Sequence, residues 1–354
     1  MRAHTDRPKL WDVIIVGQGL AGTTLAWHLI EAGQRVLVVD AEEPVTSSKI
    51  AAGLITPITG RRIALSWRAD ELLPVARDFY ARIEKRTGQK FFHARTAVRL
   101  FQSDEERNSW SQRGQLPAFQ PYLVNPAPNP LLDPSLADTG GGGFAMHSAQ
   151  LDVAAYLDAS RPHFSFAPMT LDWRRDVTLG PEIISLQGQQ TRWLISCEGF
   201  AATRNPYFSW VPFKAAKGDV VTVRFHSPVP PQCLHRGIWV APSRDPDVFK
   251  VGSTYNWETL DQVPDDAARA QIEHKLQEFC HVPYTVTSHQ AAVRPIIDES
   301  KALIGYHPQH ERLGYFNGLG SKGSLHAPWF AHRLTEFLIH ATPLPEESNV
   351  RKHF

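Results

Sequence analysis

The stretch Trp11-Asp12-Val13-Ile14-Ile15-Val16-Gly17-Gln18-Gly19-Leu20-Ala21-Gly22 decides the fold, together with the second apolar run that ends at Asp40. The apolar residues of 11–16 predict a buried strand, and residues 20–32 predict a helix that ends at Gly33. Residues 35–40 predict a second, parallel strand. The spacing Gly-x-Gly-x-x-Gly between a strand and a helix, followed by an acidic residue after the next strand, is typical of a dinucleotide-binding βαβ unit.

Each part of this motif has a physical role in holding a dinucleotide. Gly17, Gly19 and Gly22 allow a tight turn and a close approach of the backbone to a pyrophosphate. Leu20 and Ala21 open the helix, whose free N–H groups and positive dipole end favour that anion. The carboxylate of Asp40 suits the hydroxyls of an adenosine ribose. A chance glycine-rich turn is the alternative, and it leaves Asp40 unexplained.

Composition narrows the class of protein further. The chain has 354 residues, enough for two domains or one large domain, and its 37 basic and 36 acidic residues nearly balance. This balance gives no general attraction to nucleic acid. A local basic surface patch at Arg61, Arg62 and Arg68 remains an alternative. No apolar run approaches the ~18 residues of a membrane span, and the polar N-terminus does not predict a signal peptide. The odd set of widely spaced cysteines predicts no metal site and favours a reducing, cytoplasmic location: Cys197, Cys233 and Cys280.

Two later segments favour FAD over NAD as the dinucleotide. The loop 46–57 is rich in small residues and has a hydroxyl cluster at its start, so a planar ring is able to lie on its backbone. Near the C-terminus, strand 313–317 leads into Gly318-Leu319-Gly320-Ser321-Lys322-Gly323 and a helix over 324–340. Such a loop suits the isoalloxazine ring, because the helix dipole favours the negative charge of reduced flavin. Ordinary loops that lead into helices, with serine capping in the first case, are the alternative.

These segments, in this order, resemble the D-amino-acid oxidase and glycine oxidase superfamily of FAD enzymes, over most of the chain. Further segments that carry the resemblance are 48–54, 193–199, 217–223 and 291–295, together with 251–255, which looks like a strand of the substrate domain. The resemblance implies an α/β (α+β two-domain) fold, with a Rossmann-type FAD-binding domain and a discontinuous, mainly antiparallel β-sheet substrate domain. The implied FAD-binding domain comprises residues 10–66, 145–205 and 291–345. The implied substrate domain comprises residues 67–144 and 206–290.

The resemblance also implies the residues that bind the cofactor. Val177 is expected to offer its backbone to the adenine. No cysteine lies near Arg294 and Pro295, where the sarcosine-oxidase branch attaches its flavin, so noncovalent FAD is expected. The full implied set is Gly17, Gly19, Leu20, Ala21, Gly22, Asp40, Ser47, Ser48, Lys49, Ala52, Gly53, Leu54, Val177, Gly199, Arg294, Gly318, Gly320, Ser321, Lys322 and Gly323.

The implied reaction is oxidation of the C–N bond of an amino acid or related amine. A hydride passes to flavin N5, the imine is hydrolysed, and molecular oxygen or another acceptor reoxidises the flavin. Arg294 is expected to pair with a substrate carboxylate. The alternatives are that it contacts the flavin or only stabilises the sheet. Lys322 and Lys49 are candidates for positive charge beside the ring, with a solvated lysine as the alternative for Lys49. Tyr255 is a candidate for the substrate cavity, or else a core residue.

Other functions stay open on the sequence alone. The loop 318–323 is also similar to that of the oxidoreductase domain that trims carboxymethylaminomethyl groups from tRNA wobble uridine, so modified tRNA is an alternative substrate. The balanced charge makes a nucleic-acid partner less expected than a small molecule. A non-catalytic flavin-binding protein and an NAD-dependent dehydrogenase are the remaining alternatives.

Overall fold

The computed structural model describes residues 10–60, 62–127, 132, 137, 141–297 and 301–354, so Arg61 lies outside the described residues. The chain divides into two compact units. The first comprises Met1–Ser48, Tyr156–Ala215 and Arg294–Phe354, as far as these ranges are described. The second comprises Lys49–Ala155 and Ala216–Val293, within the same limit.

The described residues form the strands and helices that follow. The strands are β1 (Leu10–Val16), β2 (Val36–Asp40), β3 (Leu54–Ile55), β4 (Ile58–Thr59), β5 (Ala64–Leu65), β6 (Phe92–Leu100), β7 (Gly143–Leu151), β8 (Ser165–Pro168), β9 (Val177–Leu179), β10 (Ile184–Leu186), β11 (Gln189–Ser196), β12 (Ala216–Phe225), β13 (Cys233–Arg236), β14 (Ile238–Pro242), β15 (Val248–Gly252), β16 (Tyr284–Arg294), β17 (Leu303–Tyr306) and β18 (Leu313–Asn317). The helices are α1 (Leu20–Glu31), α2 (Ser47–Ile50), α3 (Ala69–Thr87), α4 (Asp104–Arg113), α5 (Val153–Ser160), α6 (Trp173–Asp176), α7 (Asp266–Gln277) and α8 (Gly323–His340).

The first unit is built on a largely parallel sheet with the order β17-β18-β11-β1-β2-β8, to which β10 and β9 add beside β11. β1 runs parallel to both β2 and β11, and β11 runs parallel to β18. Val13, Ile14 and Ile15 are all buried, as expected for a parallel strand covered on both faces. The predicted βαβ unit is therefore present, with α1 ending at Glu31 and the left-handed Gly33 just after it.

The second unit is built on a larger sheet with the order β16-β12-β15-β14-β13-β6-β7-β3. Of the strand pairs recorded among its described residues, β13–β6 is parallel, and β12–β15, β14–β15, β13–β14, β6–β7 and β3–β7 are antiparallel. Its apolar core includes Ile272 and Leu276 of α7 together with Val221, Phe249 and Val251. The α/β class and the mainly antiparallel second sheet agree with the sequence expectation.

The boundaries between the two compact units lie at residues other than the predicted domain boundaries. The units change after Ser48, Ala155, Ala215 and Val293, whereas the predicted domains changed after residues 66, 144, 205 and 290. The reason lies in strand pairing: β3 pairs with β7, and β7 pairs with β6, so residues 54–55 and 143–151 are part of the second sheet. These pairings join segments far apart in the chain, which local sequence patterns do not report.

Two further findings concern the described residues. No helix among them, including the long α3 and α8, has the length and apolar character needed to cross a membrane. Their His, Cys, Asp and Glu side chains form no group that could hold a metal ion, and the three cysteines are free.

Candidate cofactor and active site

The turn between β1 and α1 and the first turn of α1 each have one position with space only for glycine. Gly17 has φ +105°, and a Cβ atom there would lie 2.5 Å from the carbonyl oxygen of Cys197. A Cβ atom on Gly22 would lie 1.9 Å from the carbonyl oxygen of Gly17. The two glycines therefore let the start of α1 pack close against the ends of β1 and β11, which is the tight turn that a dinucleotide-binding motif requires.

Polar side chains fix the same turn. The carboxylate of Asp40 accepts hydrogen bonds from the N–H of Gln18 at 2.6 Å and from the N–H of Glu42 at 2.7 Å. Gly19 is the N-cap residue of α1 and has no side chain that could accept a hydrogen bond from the helix. The N–H of Leu20 donates instead to Ser48 Oγ at 3.1 Å. Each carboxylate oxygen has a further lone pair, so Asp40 is able to accept from a ribose as well.

The second glycine-rich turn, between β18 and α8, adjoins the first. Asn317 donates from Nδ2 to the carbonyl of Gly199 at 2.8 Å and accepts the N–H of Gly318 at its Oδ1, also at 2.8 Å. Gly199, Gly318 and Gly320 all have positive φ. A Cβ atom on Gly323 would lie 2.9 Å from Leu20 Cδ2. The N-termini of α1 and α8, each the positive end of its helix dipole, therefore lie against each other.

The first turn of α8 carries two desolvated basic groups. Burial lowers the pKa of Lys322, whose carbonyl accepts the N–H of His326 at 3.0 Å. Burial, and secondly the charge of Lys322, lower the pKa of His326 to about 4. The imidazole is therefore neutral near pH 7, while Ser321 on the loop is exposed.

The segment that carries Arg294 packs against this same loop. Arg294 is the half-buried last residue of β16. Two residues further on, Ile296 has its Cγ1 3.7 Å from where a Cβ of Gly320 would be, and Ile297 has its Cδ1 2.3 Å from where a Cβ of Gly318 would be. The structure therefore brings the chain segment of Arg294 to the loop that ends in Lys322.

Glu198 is a residue of this region to which sequence reasoning gave no role. Its carboxylate accepts hydrogen bonds from Ser196 Oγ at 2.6 Å, Trp173 Nε1 at 2.9 Å and Asn205 Nδ2 at 3.1 Å. Burial raises the pKa of this carboxyl, against the effect of the three donors. The bond to Trp173 ties α6 and the following Val177, which is buried at the start of β9, to the end of β11. The feature of the sequence that could have indicated Glu198 is its position, as a charged residue directly after a buried apolar run.

The remaining expected residues belong to the second unit. Lys49 is half-buried on α2, and Ala52, Gly53 and Leu54 follow it. Gly53 has φ +67°, and a Cβ atom there would lie 1.8 Å from the carbonyl oxygen of Leu151. Lys250, which sequence reasoning missed, donates from Nζ to the carbonyls of Ile50 and Ala51.

Tyr255 and the basic cluster also lie in the second unit. The predicted strand 251–255 ends at Gly252, so Tyr255 lies in a loop. It is 46% exposed and stacks on Trp257, so it is not a core tyrosine. In the basic cluster, Arg68 pairs with Glu71 and lies over the ring of Trp67. This pairing reduces the positive charge that the cluster offers to a phosphate.

Comparison with known proteins identifies the family. The family model described as FAD dependent oxidoreductase, DAO, matches residues 12–337. The chain therefore belongs to the DAO family of FAD-dependent oxidoreductases. A curated relative, the uncharacterised oxidoreductase YurR of Bacillus subtilis (strain 168), is 41% identical over 54 residues, which span 15% of this chain and 14% of that protein.

Solved structures share the fold over almost the whole chain. The glycine oxidase of Geobacillus kaustophilus superimposes with a TM-score of 0.80 at 18% identity, covering 98% of this chain and 99% of that one. The iminodiacetate oxidase of Chelativorans sp. BNC1 gives 0.72 at 18% identity, covering 95% and 98%. The L-proline dehydrogenase of P. horikoshii gives 0.73 at 12% identity, covering 96% of each chain.

The first unit fits the cofactor that this family implies. Gly17 and Gly22 leave no room for a Cβ atom, so only glycine allows this tight turn. The N-terminus of α1 suits a pyrophosphate, that of α8 suits the flavin ring, and Asp40 lies at the end of β2, where a carboxylate partner for the ribose is required.

Proposed function

We propose that this enzyme oxidises the C–N bond of an amino acid or a related amine, using noncovalently bound FAD. The observation that carries the proposal is the packing of Ile296 and Ile297 on Gly320 and Gly318, which brings the segment of Arg294 to the loop of Lys322. An arginine in this place suits a carboxylate-bearing substrate next to a flavin. Structural relatives named for glycine, iminodiacetate and L-proline support the same class of substrate.

The residues of the first unit would hold the cofactor in the following way. The N–H groups at the start of α1 would bind the pyrophosphate, Asp40 the ribose, and the backbone of Val177 the adenine. The turn before α8 would follow the flavin ring with its backbone. The residues proposed for these contacts, with those of the flavin-adjacent loop, are Gly17, Gly19, Leu20, Ala21, Gly22, Asp40, Ser47, Ser48, Lys49, Ala52, Gly53, Leu54, Val177, Gly199, Arg294, Gly318, Gly320, Ser321, Lys322 and Gly323.

FAD, when bound, supplies the two-electron acceptor for the carbon next to the substrate nitrogen. Arg294 would orient the substrate by a two-pronged bond to its carboxylate, because the guanidinium matches that geometry. Lys322, with its desolvated ammonium at the start of α8, would favour negative charge on the ring. Lys49 and Tyr255 are the further candidates for charge and for a substrate hydrogen bond. An amine that arrives neutral requires no separate general base.

An anaerobic titration of the purified protein tests this function. Amino acids, N-alkylglycines and imino acids are added in turn while the visible flavin band is followed. The proposal expects one class of compound to bleach the band and air to restore it. A yellow protein that no compound bleaches would instead favour modified tRNA as substrate or a non-catalytic flavin protein. A colourless protein would contradict the proposal and favour an NAD-dependent enzyme.

The substitution Arg294→Lys tests the role of the guanidinium. Loss of a charged, two-pronged bond costs about 1.5–3 kcal/mol, which raises KM for a carboxylate substrate by about tenfold to a hundredfold. The amide of the same substrate is the matched control, because its KM should not change. Equal losses for the acid and the amide would show that Arg294 does not bind the carboxylate.

A further inference from the structure

Two basic side chains of β6 lie side by side on one face of the second sheet. His93 and Arg95 are two residues apart in the strand, so their side chains point to the same face. Both residues are half-buried. Burial, and secondly the charge of Arg95, lower the pKa of His93, which agrees with this proximity. The next residue on the face, Ala97, belongs to an apolar core cluster, so the two basic side chains lie at the border of that core.

The guanidinium of Arg95 is held in place by a neutral side chain. Its Nε donates to Gln150 Oε1 at 3.3 Å. Gln150 is itself buried, and its Nε2 donates to the carbonyls of Ala52 at 3.2 Å and Pro242 at 2.8 Å. Because these bonds fix Gln150, they also fix the orientation of Arg95. The bond from Nε leaves the N–H groups of both terminal nitrogens of Arg95 for another acceptor.

Arg95 has no acidic partner, unlike two comparable cations of the same unit. Arg99 Nη2 lies 2.6 Å from Glu106 Oε1, and Lys217 Nζ lies 2.6 Å from Asp261 Oδ1. No carboxylate among the described residues forms an ion pair with Arg95. Removing a charge from water is costly unless the charge is paired. A guanidinium that is half-buried, oriented and unpaired therefore favours an anionic ligand.

The acidic side chains that act on His93 already have their own cations. Glu84 Oε2 lies 2.7 Å from Lys90 Nζ, and Asp152 Oδ2 lies 2.6 Å from Arg244 Nε. Each of these pairs is neutral as a whole. The surroundings of His93, within the part of the chain that the structure describes, thus keep one uncompensated positive charge, that of Arg95.

One positive charge and a planar fork define the class of ligand. A carboxylate carries one negative charge, and its two oxygens match the two terminal nitrogens of a guanidinium. A phosphate dianion would bring more negative charge than Arg95 compensates. The imidazole of His93 is neutral near pH 7, because its pKa is lowered, and a neutral imidazole has one N–H donor to add.

We propose that Arg95 and His93 form a binding site for a small carboxylate, in which Arg95 donates from both terminal nitrogens to the two oxygens and His93 donates one further hydrogen bond. The site lies wholly within the second unit. It does not depend on the proposed function, because His93, Arg95 and Gln150 are not among the residues proposed for the cofactor or the substrate.

Modification of arginine by methylglyoxal tests the site at the level of one residue. Methylglyoxal is close in size to acetate, so it reaches any arginine that acetate reaches. The rate of modification of Arg95 in the purified protein is followed by mass spectrometry of the peptide that contains it. Acetate is varied at constant ionic strength, and inorganic phosphate is titrated in the same way at mildly alkaline pH, where it is mainly the dianion. Arg224 is the internal control, because it is an exposed arginine of the same unit, with its Nη2 3.6 Å from Asp245 Oδ2.

Acetate should slow the modification of Arg95 by the factor 1 + [acetate]/Kd, which is about tenfold when acetate exceeds Kd about tenfold. The rate at Arg224 should not change, and phosphate should protect Arg95 less than acetate does. In His93→Phe the Kd of acetate should rise by about tenfold, because one hydrogen bond to a charged group is lost. His147→Phe is the matched control variant, since His147 is an exposed histidine that pairs with Thr96, on the other face of the sheet, and its Kd should equal that of the wild-type protein.

Four results would overturn the proposal. The first is an Arg95 that reacts at the same rate with and without acetate, which would make it an ordinary solvated arginine. The second is an Arg95 that methylglyoxal does not modify at all, since acetate would not reach it either. Equal protection of Arg95 and Arg224, or better protection by phosphate than by acetate, would contradict a specific carboxylate site. An unchanged Kd in His93→Phe would remove His93 from the site, and the wild-type titration decides on Arg95 even if that variant does not fold.

Discussion

The substitution Gly22→Ala sets two physical effects against each other. Gly22 lies inside α1, where alanine is intrinsically better than glycine by about 1 kcal/mol because it loses less backbone entropy. The added Cβ atom, however, would lie 1.9 Å from the carbonyl oxygen of Gly17 and 3.0 Å from Ile15 Cγ2. The carbonyl cannot move away freely, because the N–H of Gly17 is bonded to the carbonyl of Val39 at 2.8 Å.

The clash should prevail over the helix propensity. Overpacking costs about 1–3 kcal/mol, and the upper end applies because the contact is with backbone rather than with a flexible side chain. Subtracting the helix gain leaves Gly22→Ala less stable by about 2 kcal/mol. The displaced turn should also bind FAD more weakly. Urea denaturation of the apoprotein measures the first effect, and titration with FAD measures the second.

Gly33→Ala is the matched control at the other end of α1. Gly33 has φ +79°, and nothing lies within 4 Å of an added Cβ atom. The change should cost about 1–2 kcal/mol for the left-handed conformation and leave FAD affinity unchanged. If Gly22→Ala proves as stable as the wild-type protein and binds FAD equally well, the close approach of the turn to α1 is refuted.

Three other predictions follow from the same region. Acid precipitation of the holoprotein should release FAD into the supernatant, since no cysteine lies beside Arg294 and Pro295, and flavin retained in the pellet would contradict noncovalent binding. Asn317→Leu should lower the free energy of unfolding by about 2 kcal/mol, because the carbonyl of Gly199 and the N–H of Gly318 lose their partner, and urea denaturation measures this. In the wild-type protein, the raised pKa of Glu198 contributes stability that is present below its ordinary value of 4.5 and lost as pH rises through the raised pKa. Glu198→Gln removes this titration, so its urea midpoint should change less with pH than that of the wild-type protein, and parallel pH profiles would count against it.

The strands and helix of the nucleotide-binding unit could be predicted from the sequence because each depends on the residues of one short segment. The strand and helix of the βαβ unit were predicted to within one or two residues, and strand 313–317 agrees with β18. Buried parallel strands appear as continuous apolar runs, and glycine marks the turns that require positive φ. The family and its FAD dependence were likewise predicted from the order of short motifs, and the family match confirms them.

The side chains that contact those motifs could not be predicted from the sequence, because the contacts join residues far apart in the chain. Glu198 was visible as a charged residue after β11, but its donors Trp173 and Asn205 are set by the tertiary fold. Lys250 had no predicted role, since nothing local indicates that its ammonium reaches the carbonyls of a loop two hundred residues earlier, at Ile50. The predicted strand 251–255 failed at Tyr255 for a similar reason, because the pairing of β15 with β14 and β12 ends at Gly252.

The sequence by itself determined the βαβ unit, the two glycine-rich turns and the family of FAD-dependent oxidoreductases, because each depends on residue types at fixed spacing in a short segment. Only the tertiary structure decided which sheet each segment joins, which side chains fix the turns, and which backbone groups of the loop 50–53 are bonded to the sheet. Those features arise from hydrogen bonds and packing between segments far apart in the chain, and residue spacing carries no record of them.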